Sequence, residues 1–76
     1  MLDRIDGAKI RRLRESLGMT MKELAERVGV SEMQISYYER GVKTPSVPVF
    51  MRIADVLGVK MDDLKLDSDT NGEKSS

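Results

Sequence analysis

A chain of 76 residues without cysteine, histidine or tryptophan is one small domain, with no disulfide staple, no zinc–thiolate site and no imidazole to serve as general base. At this size roughly 60–65% of the unfolded surface is buried on folding. The core is therefore thin and leaves little room for a deep pocket, so neither an enzyme nor a metal or cofactor site is expected. Thirteen basic and thirteen acidic residues cancel to zero net charge, but unevenly: residues 1–52 carry ten basic and seven acidic side chains (net +3), and residues 53–76 carry three and six (net −3). No apolar run approaches the ~20 residues of a membrane span, and Met1–Lys9 has no apolar signal region. A cytoplasmic, soluble protein with no membrane partner is the expectation.

In chain order, the first helix is expected over 7–17, where Ile10, Leu13 and Leu17 recur at i, i+3, i+7 and Gly18 follows as a C-cap. The second is expected over 21–28. There Met21, Leu24, Ala25 and Val28 form an amphipathic stripe, and Thr20 with Glu23 reads as a capping box. The third, 32–40, starts from a second box, Ser31 with Gln34, and Gly41 closes it. Over 47–57, Ser46 caps, Pro48 fits the first turn, and Phe50, Ile53, Ala54 and Leu57 make the stripe. A short helix near 61–65 completes an all-α, five-helix domain over residues 1–66. No segment alternates with a period of two, so no sheet is expected. Residues 67–76, DSDTNGEKSS, have no apolar side chain and are expected to be a disordered polar tail.

The spacing between Thr20 and Gly41 carries the most information. Gly29-Val30-Ser31 is too short for an antiparallel hairpin and suits a sharp crossing of roughly 90–120°. Gly29 permits the left-handed turn, Ala25 permits close approach, and Leu24, Val28, Val30, Ile35 and Tyr38 lock the two helices together. The outer face of the second helix of the pair keeps Glu32, Met33, Ser36, Tyr37 and Arg40. A rigid helix with a free outer face is what reading the DNA major groove needs.

The runs Ile10-Arg11-Arg12-Leu13-Arg14, Gly18-Met19-Thr20, Glu23-Leu24-Ala25, Gly29-Val30-Ser31, Ile35-Ser36, Glu39-Arg40-Gly41, Pro45-Ser46 and Ala54-Asp55-Val56-Leu57-Gly58-Val59 together resemble the helix-turn-helix of the phage repressor and Cro family, the group named after the xenobiotic-response-element regulators. The resemblance covers roughly residues 7–66. It implies a compact repressor-like domain that binds double-stranded operator DNA, near-palindromic in sequence, as a homodimer. Two positions depart from the family pattern. Met21 stands where a phosphate-touching glutamine is frequent, so the backbone N–H groups, Thr20 and Lys22 are left to meet an anion. Glu32 brings an acid to the recognition face, where it can accept from cytosine N4.

On this resemblance Glu32, Met33, Ser36 and Tyr37 are candidates for reading bases. A surface tyrosine and an exposed helix-forming methionine are the plainer alternatives for Tyr37 and Met33. Thr20, Met21, Lys22, Gln34, Arg40, Lys43 and Thr44 are candidates for phosphate contact, with Gln34 engaged first in its capping box. Arg14 and Glu39 are expected to pair and fix the recognition helix. Leu57, Val59, Met61, Leu64 and Leu66 exceed what one short C-terminal helix needs, so some close the core and the remainder can form a two-fold patch. The expected function is a sequence-specific regulator of transcription, a repressor by preference. The rivals are an antitoxin or restriction–modification controller of the same fold, and a protein-interaction module that has lost DNA binding.

Overall fold

Asp6, rather than an apolar residue, opens the first helix. In the computed structural model, which describes residues 4–66, the Asp6 carboxylate accepts the Lys9 N–H at 3.0 Å and starts α1 (Gly7–Ser16). The expected tail over 67–76 lies outside the described residues. There follow α2 (Met21–Val28), α3 (Glu32–Arg40), α4 (Val47–Leu57) and one turn of 3-10 helix, Met61–Leu64. Both expected capping boxes are formed. Thr20 Oγ1 accepts from Glu23 N at 3.0 Å while Glu23 Oε1 accepts from Thr20 N at 2.8 Å. Ser31 and Gln34 make the same exchange at 3.1 and 3.0 Å. Ser46 caps α4 with Pro48 in its first turn.

The fold is thus all-helical, with four α-helices and a short 3-10 element instead of a fifth α-helix. The last element stays at one turn because the chain leaves it to pair with the N-terminal segment. Ile5 and Lys65 form an isolated antiparallel bridge. Asp6 N donates to the Leu64 carbonyl at 2.7 Å, and Leu66 N donates to the Arg4 carbonyl at 3.2 Å. No strand occurs among the described residues.

Phe50, Ile10, Leu24, Ile35, Ile53, Leu64 and Val28 are fully buried, and Ala25, Tyr38, Ala54 and Leu57 close around them. Each fully buried large side chain contributes about 1.5–3 kcal/mol, a sizeable fraction of the ~5–15 kcal/mol that holds a domain together. The first apolar stripe needs correction. Ile10 is in the core and Leu13 packs against it, but Leu17 is 53% exposed. α1 ends at Ser16, and Gly18 turns the chain through a left-handed conformation (φ +73°), so Met19 enters the core where Leu17 was expected.

The first turn of α1 rests directly on the last turn of α3. A Cβ on Gly7 would overlap the carbonyl oxygens of Tyr38 and Glu39, which are backbone atoms that cannot swing aside. Gly7→Ala is therefore expected to destabilise the domain by about 1–3 kcal/mol through overpacking. Urea unfolding should show a lower midpoint with an unchanged slope. A midpoint equal to wild type would mean that α1 is not seated on the end of α3.

Candidate nucleic-acid interface

α3 is held on its inner face and free on its outer one. Gly29 takes φ +90°, which only a residue without Cβ adopts readily, and this turns the chain sharply from α2 into α3. Ile35 and Tyr38 face inward and are buried with Leu24, Ala25 and Val28 of α2. Arg52 of α4 donates to the Val28 carbonyl at 3.3 Å and so ties down the end of α2.

The strongest single fixture of α3 comes from α1. Arg14 Nε donates to Glu39 Oε2 at 2.6 Å and Nη2 donates to Oε1 at 3.1 Å, in a two-pronged pair whose side chains are only 10% and 5% exposed. The remaining prong, Nη1, donates to the Met19 carbonyl at 2.8 Å. One guanidinium therefore joins α1, the turn before α2 and the end of α3. The hydrogen bonds to Glu39 raise the Arg14 pKa above its ordinary value. Burial opposes them to a lesser degree, and the charges of Glu39 and Glu15 add to the rise.

The outer face of α3 lines an open cleft of about 490 Å³ with Glu32, Met33, Ser36, Tyr37 and Arg40, and Met21 of α2 forms its far wall. Met33 is 63% exposed. Arg40 Nε donates to Ser36 Oγ at 3.2 Å. The Tyr37 ring has the Arg40 guanidinium carbon 5.5 Å and the Lys43 ammonium 5.0 Å from its centroid. A second, smaller cleft of about 250 Å³ is lined by Arg11, Arg14, Met21, Ser36, Glu39 and Arg40. A recess of about 130 Å³ is shared by Arg4, Ile5, Gly41, Lys43, Thr44 and Leu66.

The four candidate base-reading residues, Glu32, Met33, Ser36 and Tyr37, are thus brought together in one cleft, with Met21 and Arg40 from the phosphate set. Met21 is half-buried, so its side chain acts as a wall between core and cleft. Thr20 and Lys22 are exposed beside it on the first turn of α2. Gln34 commits its Oε1 to the Ser31 cap. Lys43 and Thr44 sit in the recess past the end of α3. Two further cations belong to this region. Arg11 precedes Arg14 by three residues on α1 and pairs with Glu15 at 3.2 Å, and its i, i+3 spacing from Arg14 was the available signal. Arg4 reaches the Lys43 recess through the terminal bridge, for which the sequence has no signal.

The C-terminal apolar set is not one outward patch. Leu57 and Leu64 are buried in the core, because the end of α4 and the 3-10 helix pack against each other and against α1. Val59 and Met61 are half-buried against that core, and Leu66 is exposed in the recess with Lys43.

A family model described as Helix-turn-helix matches residues 10–64. An uncharacterized HTH-type transcriptional regulator of Methanothermobacter thermautotrophicus is 49% identical over 49 residues, 64% of this chain and 71% of that protein. The P22 c2 repressor, solved in complex with a synthetic operator, superposes with a TM-score of 0.78 at 28% identity, over 83% of this chain and 96% of that one. SinR, the master regulator for biofilm formation, solved in complex with DNA, gives 0.68 at 32% identity, over 74% and 90%. The chain spans about a fifth of the length of the curated relatives it matches in Pyrococcus furiosus and Picrophilus torridus (17% and 21%). No helix among the described residues is long and apolar enough to cross a membrane.

Removing one partner of the Arg14–Glu39 pair strands a buried charge. Glu39→Ala is expected to cost about 3–5 kcal/mol, against under about 1 kcal/mol for an exposed pair. Thermal melts of this variant check the value, and a melting temperature equal to wild type would show that the two residues are not coupled.

Proposed function

The chain belongs to the Helix-turn-helix family, and from that premise we propose that it is a sequence-specific DNA-binding regulator of transcription, a repressor by preference, reading operator DNA in the major groove with α3. The observation that carries this reading is the division of α3 into two faces. Ile35, Tyr38 and Glu39 are tied to the scaffold, while Glu32, Met33, Ser36, Tyr37 and Arg40 line an open cleft. The match to repressor and regulator structures solved with DNA supports it. The protein is read as a binding protein and not an enzyme, acting in the cytoplasm on double-stranded DNA.

Within this reading Glu32 accepts from a cytosine N4 and Met33 packs on a thymine methyl, because both stand in the first turn of α3, where base edges are reachable. Met21 and Lys22 offer the N–H groups of the first turn of α2 to one phosphate, with the Thr20 hydroxyl proton and the Lys22 charge beside them, while the Thr20 N–H stays on Glu23. Gln34, with its Oε1 engaged, has only its amide N–H groups for a phosphate. Arg40, Lys43 and Thr44 follow the sugar–phosphate backbone. Two copies associate through Leu66 and the exposed edges of Val59 and Met61, the part of the C-terminal apolar set that the core leaves open. Their two recognition helices then meet half-sites about 34 Å apart on a near-palindrome.

Reading and holding separate by mutation. Lys43→Ala should weaken binding to all duplexes alike and lower the salt slope by about one unit per lost phosphate contact. Glu32→Ala should instead change the preferred site, at roughly 1–3 kcal/mol for the lost base contact. Selection from random duplexes, followed by titrations at several salt concentrations, measures both. Reversal of the two phenotypes would mean that α3 is docked wrongly. Absence of salt-dependent duplex binding would favour a protein-interaction module of the same fold. For the assembly, sedimentation is expected to show a dimer on the selected site, and Met61→Glu should shift it to monomer. Monomer alone for the wild type, free and on DNA, would remove the two-fold arrangement.

A further inference from the structure

The Tyr37 ring is the point at which the two strongest candidate backbone cations converge. Arg40 belongs to the last turn of α3, and Lys43 lies beyond Gly41, whose left-handed conformation (φ +75°) turns the loop away from the helix axis. Both charged groups nevertheless lie over the same ring, at 5.5 and 5.0 Å from its centroid. Two cations held beside one ring repel each other, and in solvent their long side chains would separate. The negative face of the ring offsets that repulsion. The Arg40 Nε bond to Ser36 Oγ at 3.2 Å further restrains one of them. What remains unsatisfied at such a site is net positive charge, which the single negative charge of a backbone phosphate, spread over two oxygens, offsets in part.

We propose that Tyr37 is a positioning residue: its ring holds Arg40 and Lys43 together as a preassembled clamp for a single backbone phosphate of the DNA. This deepens the reading above and rests on it, and it moves Tyr37 from reading bases to setting the register in which α3 lies. The ring makes no phosphate contact of its own; it spares two flexible side chains the ordering that binding would otherwise require. The salt slope therefore depends on a residue that carries no charge.

The experiment uses the whole chain. Tyr37→Leu keeps every charge but removes the ring, and Tyr37→Phe keeps the ring and removes only the hydroxyl. In the free protein, the Lys43 side-chain proton resonances should be shifted upfield by the ring current in wild type, lose that shift in Tyr37→Leu and regain it in Tyr37→Phe. On DNA, Tyr37→Leu should bind selected and scrambled duplexes about 5- to 30-fold more weakly, the value for two exposed cation–π contacts. Its salt slope should fall by about one unit, and Tyr37→Phe should restore both. A Lys43 shift that is absent in wild type, or a Tyr37→Leu slope equal to wild type, overturns the clamp and leaves the DNA reading intact. A Tyr37→Phe protein with a changed site preference overturns it in favour of base reading through the hydroxyl. Failure of the wild type to bind any duplex overturns both.

Discussion

A single guanidinium fixes the geometry on which everything else at this surface depends. Arg14 and Glu39 are 25 residues apart in sequence, yet they meet through two hydrogen bonds in a place nearly closed to water. A buried ion pair is weak evidence for stability, because well-packed apolar side chains of the same volume often serve as well. Its value here is directional. Two parallel bonds to a planar fork define an orientation that apolar contacts leave loose, and the third bond, to Met19, ties the same group to the turn before α2. Gly7 acts with it: α1 lies so close to the carbonyls of Tyr38 and Glu39 that a methyl group would force them apart. The outer face of α3 is therefore aimed by α1, not by the turn alone.

How much of this could be read from the sequence depended on distance along the chain. The capping boxes at Thr20 and Ser31 involve residues three apart, and the helix bounds followed from them nearly to the residue. The inner and outer sides of α3 were legible for the same reason, since Ile35 and Tyr38 fall three apart on a helix of known start. The Arg14–Glu39 pair was not visible in any spacing and came only from the family resemblance. Leu17 and Met19 show a different limit. Apolar periodicity marks a stripe but not the residue at which the chain leaves it, and here one left-handed glycine exchanged the exposed and buried roles. The C-terminal leucines show a third. An apolar surplus does not say whether a core or a partner will consume it, and Leu57 and Leu64 went to the core. The Ile5–Lys65 bridge joins two isolated residues, which make no period at all.

Zero net charge is compatible with a polyanion partner because six of the nine acids among the described residues are engaged within the domain. Asp6, Glu23 and Asp63 cap helices, Glu39 is buried on Arg14, and Glu15 and Asp62 pair with Arg11 and Lys65. Of the two acids on α3, only Glu32 faces the outer cleft as an exposed group. Arg40 remains exposed in the same cleft, Lys43 and Arg4 in the recess past the end of α3, and Lys22 on the first turn of α2. With a screening length near 8 Å at physiological ionic strength, a backbone phosphate senses these neighbours and not the sum over the chain.

The terminal bridge has a mechanical consequence. Arg4 and Leu66 lie side by side, joined by the Leu66 N–H to Arg4 carbonyl bond, with the Asp6 to Leu64 bond next behind it. A longer polypeptide carrying this domain enters and leaves it at essentially one point, so the domain adds almost nothing to the end-to-end span of such a chain. Tension applied at those two points pulls across the antiparallel pair and not along it. The two bonds then bear the load one after the other, as in a zipper, and the first to open releases Arg4 from the recess beside Lys43.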